Sequence, residues 1–137
     1  MNYLFQGIEN HFSATTGSGF YNDISGRLYP NFAPQEGTFP YCVYFLVSDV
    51  DELDFSDERE DIAIQFNVFS ESYSALEAGN LLESLKTMFD NCDLTVTDWR
   101  HLQFQRNIVL PNNDVTQRPP IHGYSVEYDV LLEKARS

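Results

Sequence analysis

Basic side chains are scarce in this 137-residue chain, eight against 21 acids, for a formal net charge of −13. They are also scattered, at Arg27, Arg59, Lys86, Arg100, Arg106, Arg118, Lys134 and Arg136, so no segment gathers the positive charge that a phosphate backbone requires. Direct binding of nucleic acid is therefore not expected, although an acidic protein can mimic nucleic acid or line a channel that carries it. Cysteine is nearly absent too. Cys42 lies in an apolar run and Cys92 follows a helical pattern, which suits a reducing compartment better than a disulfide scaffold. No run approaches the ~18 apolar residues of a membrane span. Residues 1–12 lack the basic start and cleavage site of a signal peptide, so a soluble protein made in a cytoplasm is expected, with no membrane partner.

Familiar catalytic spacings are missing as well. His11, His101 and His122 stand far apart, without the His-x-x-x-His or Cys-x-x-Cys spacing of a zinc site. There is no Gly-x-Ser-x-Gly elbow and no Gly-x-x-x-x-Gly-Lys phosphate loop. Gly17-Ser18-Gly19 lacks the third glycine and the preceding strand of a dinucleotide fingerprint, and reads as a turn. Glu127 and Asp129, two apart on one strand, read as a solvated face. The expectation is no enzyme, with no catalytic residue, cofactor or metal site.

What is present argues for a folded domain. Apolar residues make up 42% and aromatics 15% of the chain, too many for a disordered polyanion. The length suits one domain spanning residues 1–137, burying roughly two-thirds of the extended chain's surface. Leu4, Ile8 and Phe12 predict a short amphipathic helix over residues 2 to about 12, with Gly7 as a weak point. A breaker cluster at 15–19 precedes a second apolar patch of Phe20, Tyr21 and Ile24. Three prolines, Asn31 and Gly37 make residues 30–40 a constrained extended loop.

Residues 41–47 form a continuous apolar run, read as a strand buried on both faces or nearly so. Ile62, Ile64, Phe66 and Val68 alternate with smaller or polar residues, predicting a strand with one buried face. Ser74 and Glu77 suggest a capping box ahead of the clearest helix, whose stripe is Ala78, Leu81, Leu82, Leu85, Met88 and Phe89, with Asn91 placed to end it. Residues 95–106 predict a strand whose parity changes midway, as at a bulge. Tyr124, Val126, Tyr128, Val130 and Leu132 predict the last strand, and the long Pro- and Asn-rich segment 107–123 between those two reads as a loop.

Residues 47–66, "VSDVDELDFSDEREDIAIQF", hold eight carboxylates and one Arg between two strands. Asp49, Asp51, Asp57 and Glu60 fall at positions 1, 3, 9 and 12 of an EF-hand-like loop. Leu53 stands where an oxygen ligand belongs, Asp54 stands where Gly belongs, and the flanks read as strands, so calcium is rejected. The simplest reading is an antiparallel hairpin with a long charged tip over residues 49–61.

Read closely, "GRLYPNFAPQEGTFPYCVYFLVSD", residues 26–49, resembles the tail completion or tail terminator proteins of long-tailed bacteriophages and prophages. There a Gly-Arg-x-Tyr segment, an Ala-Pro-Gln loop and a Pro-Tyr-x-Val-Tyr strand occur in this order. The matching positions are Gly26, Arg27, Tyr29, Ala33, Pro34, Gln35, Pro40, Tyr41, Val43 and Tyr44. "IQFNVFSESYSALEAGNLLESLKTMFDN", "CDLTVTDWRHLQFQR" and "YSVEYDVLLEK" are similar to that family's strand, Ser-rich cap, helix and closing strands. Residues 15–23 and 107–123 match no part of the pattern. The resemblance implies an α+β fold, an antiparallel, possibly mixed, sheet of four to five strands with two helices on one face. It also implies a homo-oligomeric ring, typically a hexamer, that caps the tail tube, meets the tail tube protein and the head completion or connector protein, and resides in the tail and neck of the virion.

Rings of this kind need two different surfaces on each subunit. The Pro-rich and late loops are the candidates, with Tyr29, Phe32, Pro34, Gln35, Phe39, Asn112, Asn113 and Arg118 as interface residues. DNA would pass through without specific binding, and Asp51, Glu52, Asp54 and Asp57 are candidate channel-facing acids that repel phosphates within a screening length of about 8 Å. The rival reading is a small acidic inhibitor that imitates DNA to occupy a nucleic-acid-binding partner.

Overall fold

The computed structural model describes residues 2–14, 19–34, 38–53, 58–116 and 118–134. Their elements are α1 (Asn2–Ser13), α2 (Gly19–Asp23), β1 (Leu28–Pro30), β2 (Tyr41–Leu53), β3 (Glu58–Glu71), α3 (Leu76–Phe89), β4 (Trp99–Pro111) and β5 (Ile121–Lys134). The strands form one mixed sheet in the order β1-β2-β3-β5-β4, with β1 parallel to β2 and every other pair antiparallel. This is the expected α+β architecture, with α2 as a third, five-residue helix.

Period-two alternation decides which face of the sheet is dry. Ile62, Ile64, Phe66 and Val68 of β3 align with Val130, Tyr128, Val126 and Tyr124 of β5, and all but the half-buried Tyr124 are fully buried. On this inner face Phe66, Phe89, Phe104 and Tyr128 form an aromatic cluster, with Phe66 4.7 Å from Phe89 and Phe104 4.8 Å from Tyr128 between ring centroids. The stripe of α3 supplies Ala78, Leu81, Leu82, Leu85 and Phe89, and α1 supplies Leu4, Ile8 and Phe12. Each fully buried side chain of this size contributes roughly 1.5–3 kcal/mol, so the two stripes hold the helices on the sheet. Gly7 is a point of close approach. A Cβ there would lie 3.0 Å from the Thr95 carbonyl oxygen and 3.2 Å from Val96 Cγ2, so its bare backbone lets α1 lie against the segment before β4.

Several sequence expectations need correction. The Ser74/Glu77 capping box does not form: the cap position is Ala75 without a side-chain bond, and Glu77 accepts instead from buried Ser70 Oγ at 2.5 Å. Asn91 does take the left-handed conformation, with φ of 54°. The hairpin tip is shorter than expected, because Asp51 pairs with Glu60 and Glu52 with Arg59 inside the ladder. Backbone hydrogen bonds carry a hairpin onward where one face is solvated, whatever the side-chain charge. β4 begins later and runs further than expected, to Pro111, with register shifts between His101 and Gln103 and between Arg106 and Ile108. A shift between Leu46 and Ser48 puts Val50 opposite Asp61, on the outer face.

Candidate assembly surface

The outer face and the two sheet edges carry what the helices leave uncovered. At the end where β2 starts, Tyr41 gathers Tyr29, Phe39 and Phe69 at ring centroid distances of 6.2, 5.1 and 5.4 Å. Burial, followed by the neighbouring Tyr29, pushes the Tyr41 hydroxyl above the ordinary tyrosine value. Arg27 holds the Pro-rich loop to this cluster, its guanidinium donating to the carbonyls of Pro40 at 2.9 Å and Phe39 at 3.3 Å. Gly26, with φ of 73°, makes the turn that delivers Arg27.

Further along the outer face the residues become acidic. Asp129 sits between Ala63 on β3 and Gln105 on β4, with Asp61 and Glu127 as nearby carboxylates. Partial burial, then the charges of Asp61 and Glu127, raise its carboxyl above the usual range. At the hairpin end, Glu133 is flanked in register by Arg59 and Arg100; Arg59 Nε lies 3.6 Å from its carboxylate and Arg100 binds the other oxygen. On the inner side Tyr128 donates to Asp90 at 2.6 Å, and Arg106 pairs with the same carboxylate at 3.2 Å. Burial first, then donation to Asp90, raises the Tyr128 hydroxyl so that it stays protonated.

The residues expected at an interface fall into two groups. Tyr29, Phe32, Pro34 and Phe39 lie on or beside β1 at one sheet edge, with Phe32 78% exposed. Asn112, Asn113 and Arg118 lie in the β4–β5 connection at the other edge. The Asn112 N–H donates to the Gly123 carbonyl at 2.8 Å, Asn113 Oδ1 accepts from the Gly123 N–H at 3.2 Å, and Arg118 Nη1 donates to the Val115 carbonyl at 2.7 Å. Asp51 and Glu52 are in β2, whereas their side chains, and the whole of Gln35, Asp54 and Asp57, lie outside the described residues.

Sequence reasoning missed the apolar edges. Val47 and Val50 on β2 are 47% and 56% exposed, and Ile108 and Leu110 on β4 are 44% and 51% exposed. The run 41–47 reads as buried on both faces, yet β1 covers only Cys42, Val43 and Tyr44, so burial stops there. The missed signal was the brevity of the segment between Gly26 and the prolines, too short to flank all of β2.

An open groove of about 450 Å³ runs between α1, α2 and α3, lined by His11, Gly19, Phe20, Glu83, Ser84, Thr87 and Met88. His11 Nε2 donates to the Met88 carbonyl at 2.8 Å, which occupies that nitrogen. Burial pushes the Cys42 thiol well up and the Cys92 thiol to about 12, so both are protonated at neutral pH. Among the described residues, no group of three or more His, Cys, Asp or Glu side chains is placed to hold a metal ion, and no helix is long and apolar enough to cross a membrane.

No protein family model matches the chain, and no curated protein matches it in sequence. Among solved structures, a chain from the virion of a native gene transfer agent particle has the same fold. The two superpose with a TM-score of 0.71 at 9% identity, over 93% of this chain and 96% of that one.

Proposed function

We propose that this chain is a structural protein of a long-tailed phage or prophage virion, acting as the tail terminator. It assembles as a homo-oligomeric ring, a hexamer, that caps the tail tube protein and joins it to the head connector, in the virion neck and without performing a reaction. The observation that carries this reading is the end-to-end likeness to a virion chain, over 93% of one and 96% of the other. Two features agree with it. The motif positions Gly26, Arg27, Tyr29, Pro40 and Tyr41 all serve one turn, loop and aromatic cluster. The expected interface residues occupy opposite edges of one sheet, as the two unlike surfaces of a ring subunit require.

The acids fit passage of DNA without binding. A wall bearing Asp61, Glu127 and Asp129, continued by the hairpin acids, repels phosphate at distances below about 8 Å in physiological salt. Light scattering after size exclusion, followed by electron microscopy of the largest species, tests the assembly: closed rings are expected, formed alone or with tail tube protein. A persistent monomer or dimer that binds a nucleic-acid-binding protein would favour the DNA-mimic inhibitor instead. Neutralising Asp51, Glu52, Asp54 and Asp57 together is expected to leave the ring intact and hinder DNA passage. Normal passage would remove those four from the channel wall.

A further inference from the structure

Both outer strands of the sheet are covered over only part of their length. On the side of β2 away from β3, β1 pairs no further than Tyr44, and the Asn31 N–H donates to the Tyr44 carbonyl at 2.8 Å. Residues 45–53 have no flanking strand on that side among the described residues. On the side of β4 away from β5, the connection from α3 covers the first half: the Asn91 N–H donates to the Phe104 carbonyl at 2.9 Å, and Val96 bridges to Trp99. Residues 105–111 have no flanking strand there among the described residues.

We propose that the open stretch of β2 in one copy pairs antiparallel with the open stretch of β4 in the next, so that the sheet continues from subunit to subunit. This rests on the ring reading above and names the contact that makes the ring. Direction follows from topology. Three successive antiparallel pairings separate β2 from β4, so the two run oppositely, and a neighbour in the same orientation meets β4 with an antiparallel β2.

Side chains agree on the face. Val50 lies opposite Asp61, Ile108 opposite Glu127 and Leu110 opposite Ser125, all on the outer face, so joining the edges sets exposed apolar groups side by side. Charge selects the partner. Residues 47–61 carry eight acids and one base, whereas residues 99–120 carry Arg100, Arg106 and Arg118 with Asp114 as their one acid. Two β2 edges would oppose Asp49, Asp51 and Glu52 to their own copies, which is unfavourable for like charges across a ladder. The open stretch of β4 has no acid.

The two stretches are also offset. Through the register Asp49 is level with Phe104, about four residues from the middle of the β4 stretch, a step on the order of 13 Å at ~3.3 Å per residue. Strands in the continued sheet are therefore tilted to the ring axis, as in any sheet closed on itself.

Paired variants provide the test. Val50→Lys and Ile108→Lys are each expected to abolish rings while leaving the circular dichroism spectrum unchanged, with Leu110→Lys as a second β4 variant. Mixing Val50→Lys with Ile108→Lys leaves one working β2 and one working β4, so a species of twice the monomer mass and nothing larger is expected. A Val50→Cys, Ile108→Cys double variant should give a ladder of disulfide-linked multimers on oxidation, and each single variant none; the native thiols are buried or half-buried and protonated. Rings that persist in the Lys variants, with no ladder from the double Cys variant, would overturn the edge contact and leave the ring reading standing. A wild type that stays monomeric to about 1 mM, the weak end of specific affinity, both alone and with tail tube protein present, would overturn both.

Discussion

Single residues of this protein are constrained most where backbones crowd or charges converge. Gly123 of β5 is the tightest glycine among the described residues: a Cβ would lie 2.5 Å from the Val68 carbonyl oxygen and 2.8 Å from that of Asn112. Both neighbours are main chain and cannot rotate away. Gly123→Ala is therefore expected to destabilise the fold by about 3 kcal/mol, the upper part of the range for overpacking, seen as a lower urea midpoint. Asp129 is an opposite kind of constraint. Its carboxyl is raised by burial and by Asp61 and Glu127, so between the ordinary and the raised value the folded state holds a proton that the unfolded state has released. Stability thus falls as pH rises through the window above the ordinary value of about 3.9, and the penalty is complete above the raised folded value. Asp129→Asn is expected to melt higher than wild type at pH 7, with the gap closing as pH drops through that window and gone below the ordinary value. Paired thermal melts across the range will show whether it does.

Elements differed in how openly the sequence announced them. The Leu-rich stripe of α3, the alternation of β3 and β5 and the turn at Asn91 were legible because each is a local pattern with a local cause. β1 was not, since three residues after a turn, the last of them Pro30, gain strand geometry only by pairing with distant Cys42 to Tyr44. The reach of β2 into Asp51 and Glu52, and of β4 to Pro111, was hidden for the same reason: a ladder is set by the neighbouring strand's hydrogen bonds, which side-chain polarity does not report. The candidate surface was half legible. The motif named Tyr29 and the Pro-rich loop named Phe39, but nothing local marked Val50 or Ile108 as uncovered, because exposure depends on where the flanking strand ends. Strands β3, β5 and β4 are joined by a device that no linear pattern reveals, Glu133 held between Arg59 and Arg100. Glu133→Gln is expected to cost about 1 kcal/mol at low ionic strength and less in high salt, since this pair of contacts is partly solvated. Denaturation at two salt concentrations separates that charge effect from a packing effect.

At the scale of the whole molecule, shape and charge divide the work. The helices and inner face make the fold, while the outer face and parts of both edges stay uncovered among the described residues. A strand awaiting a partner is also a seed for the wrong one, because an exposed edge with apolar side chains can template fibres. On the edge pairing proposed above, the acids in the sequence of β2 oppose such self-templating beside the exposed Val47 and Val50. That opposition is only as strong as their ionisation. Near the isoelectric point of about 4.3 the net charge vanishes and the carboxylates are partly protonated, and concentrated protein should gel or form thioflavin-binding fibrils there while staying clear at pH 7.5. A gatekeeping lysine at position 50 should delay that onset, so the strand proposed to meet the next copy also sets how long the protein keeps in a test tube.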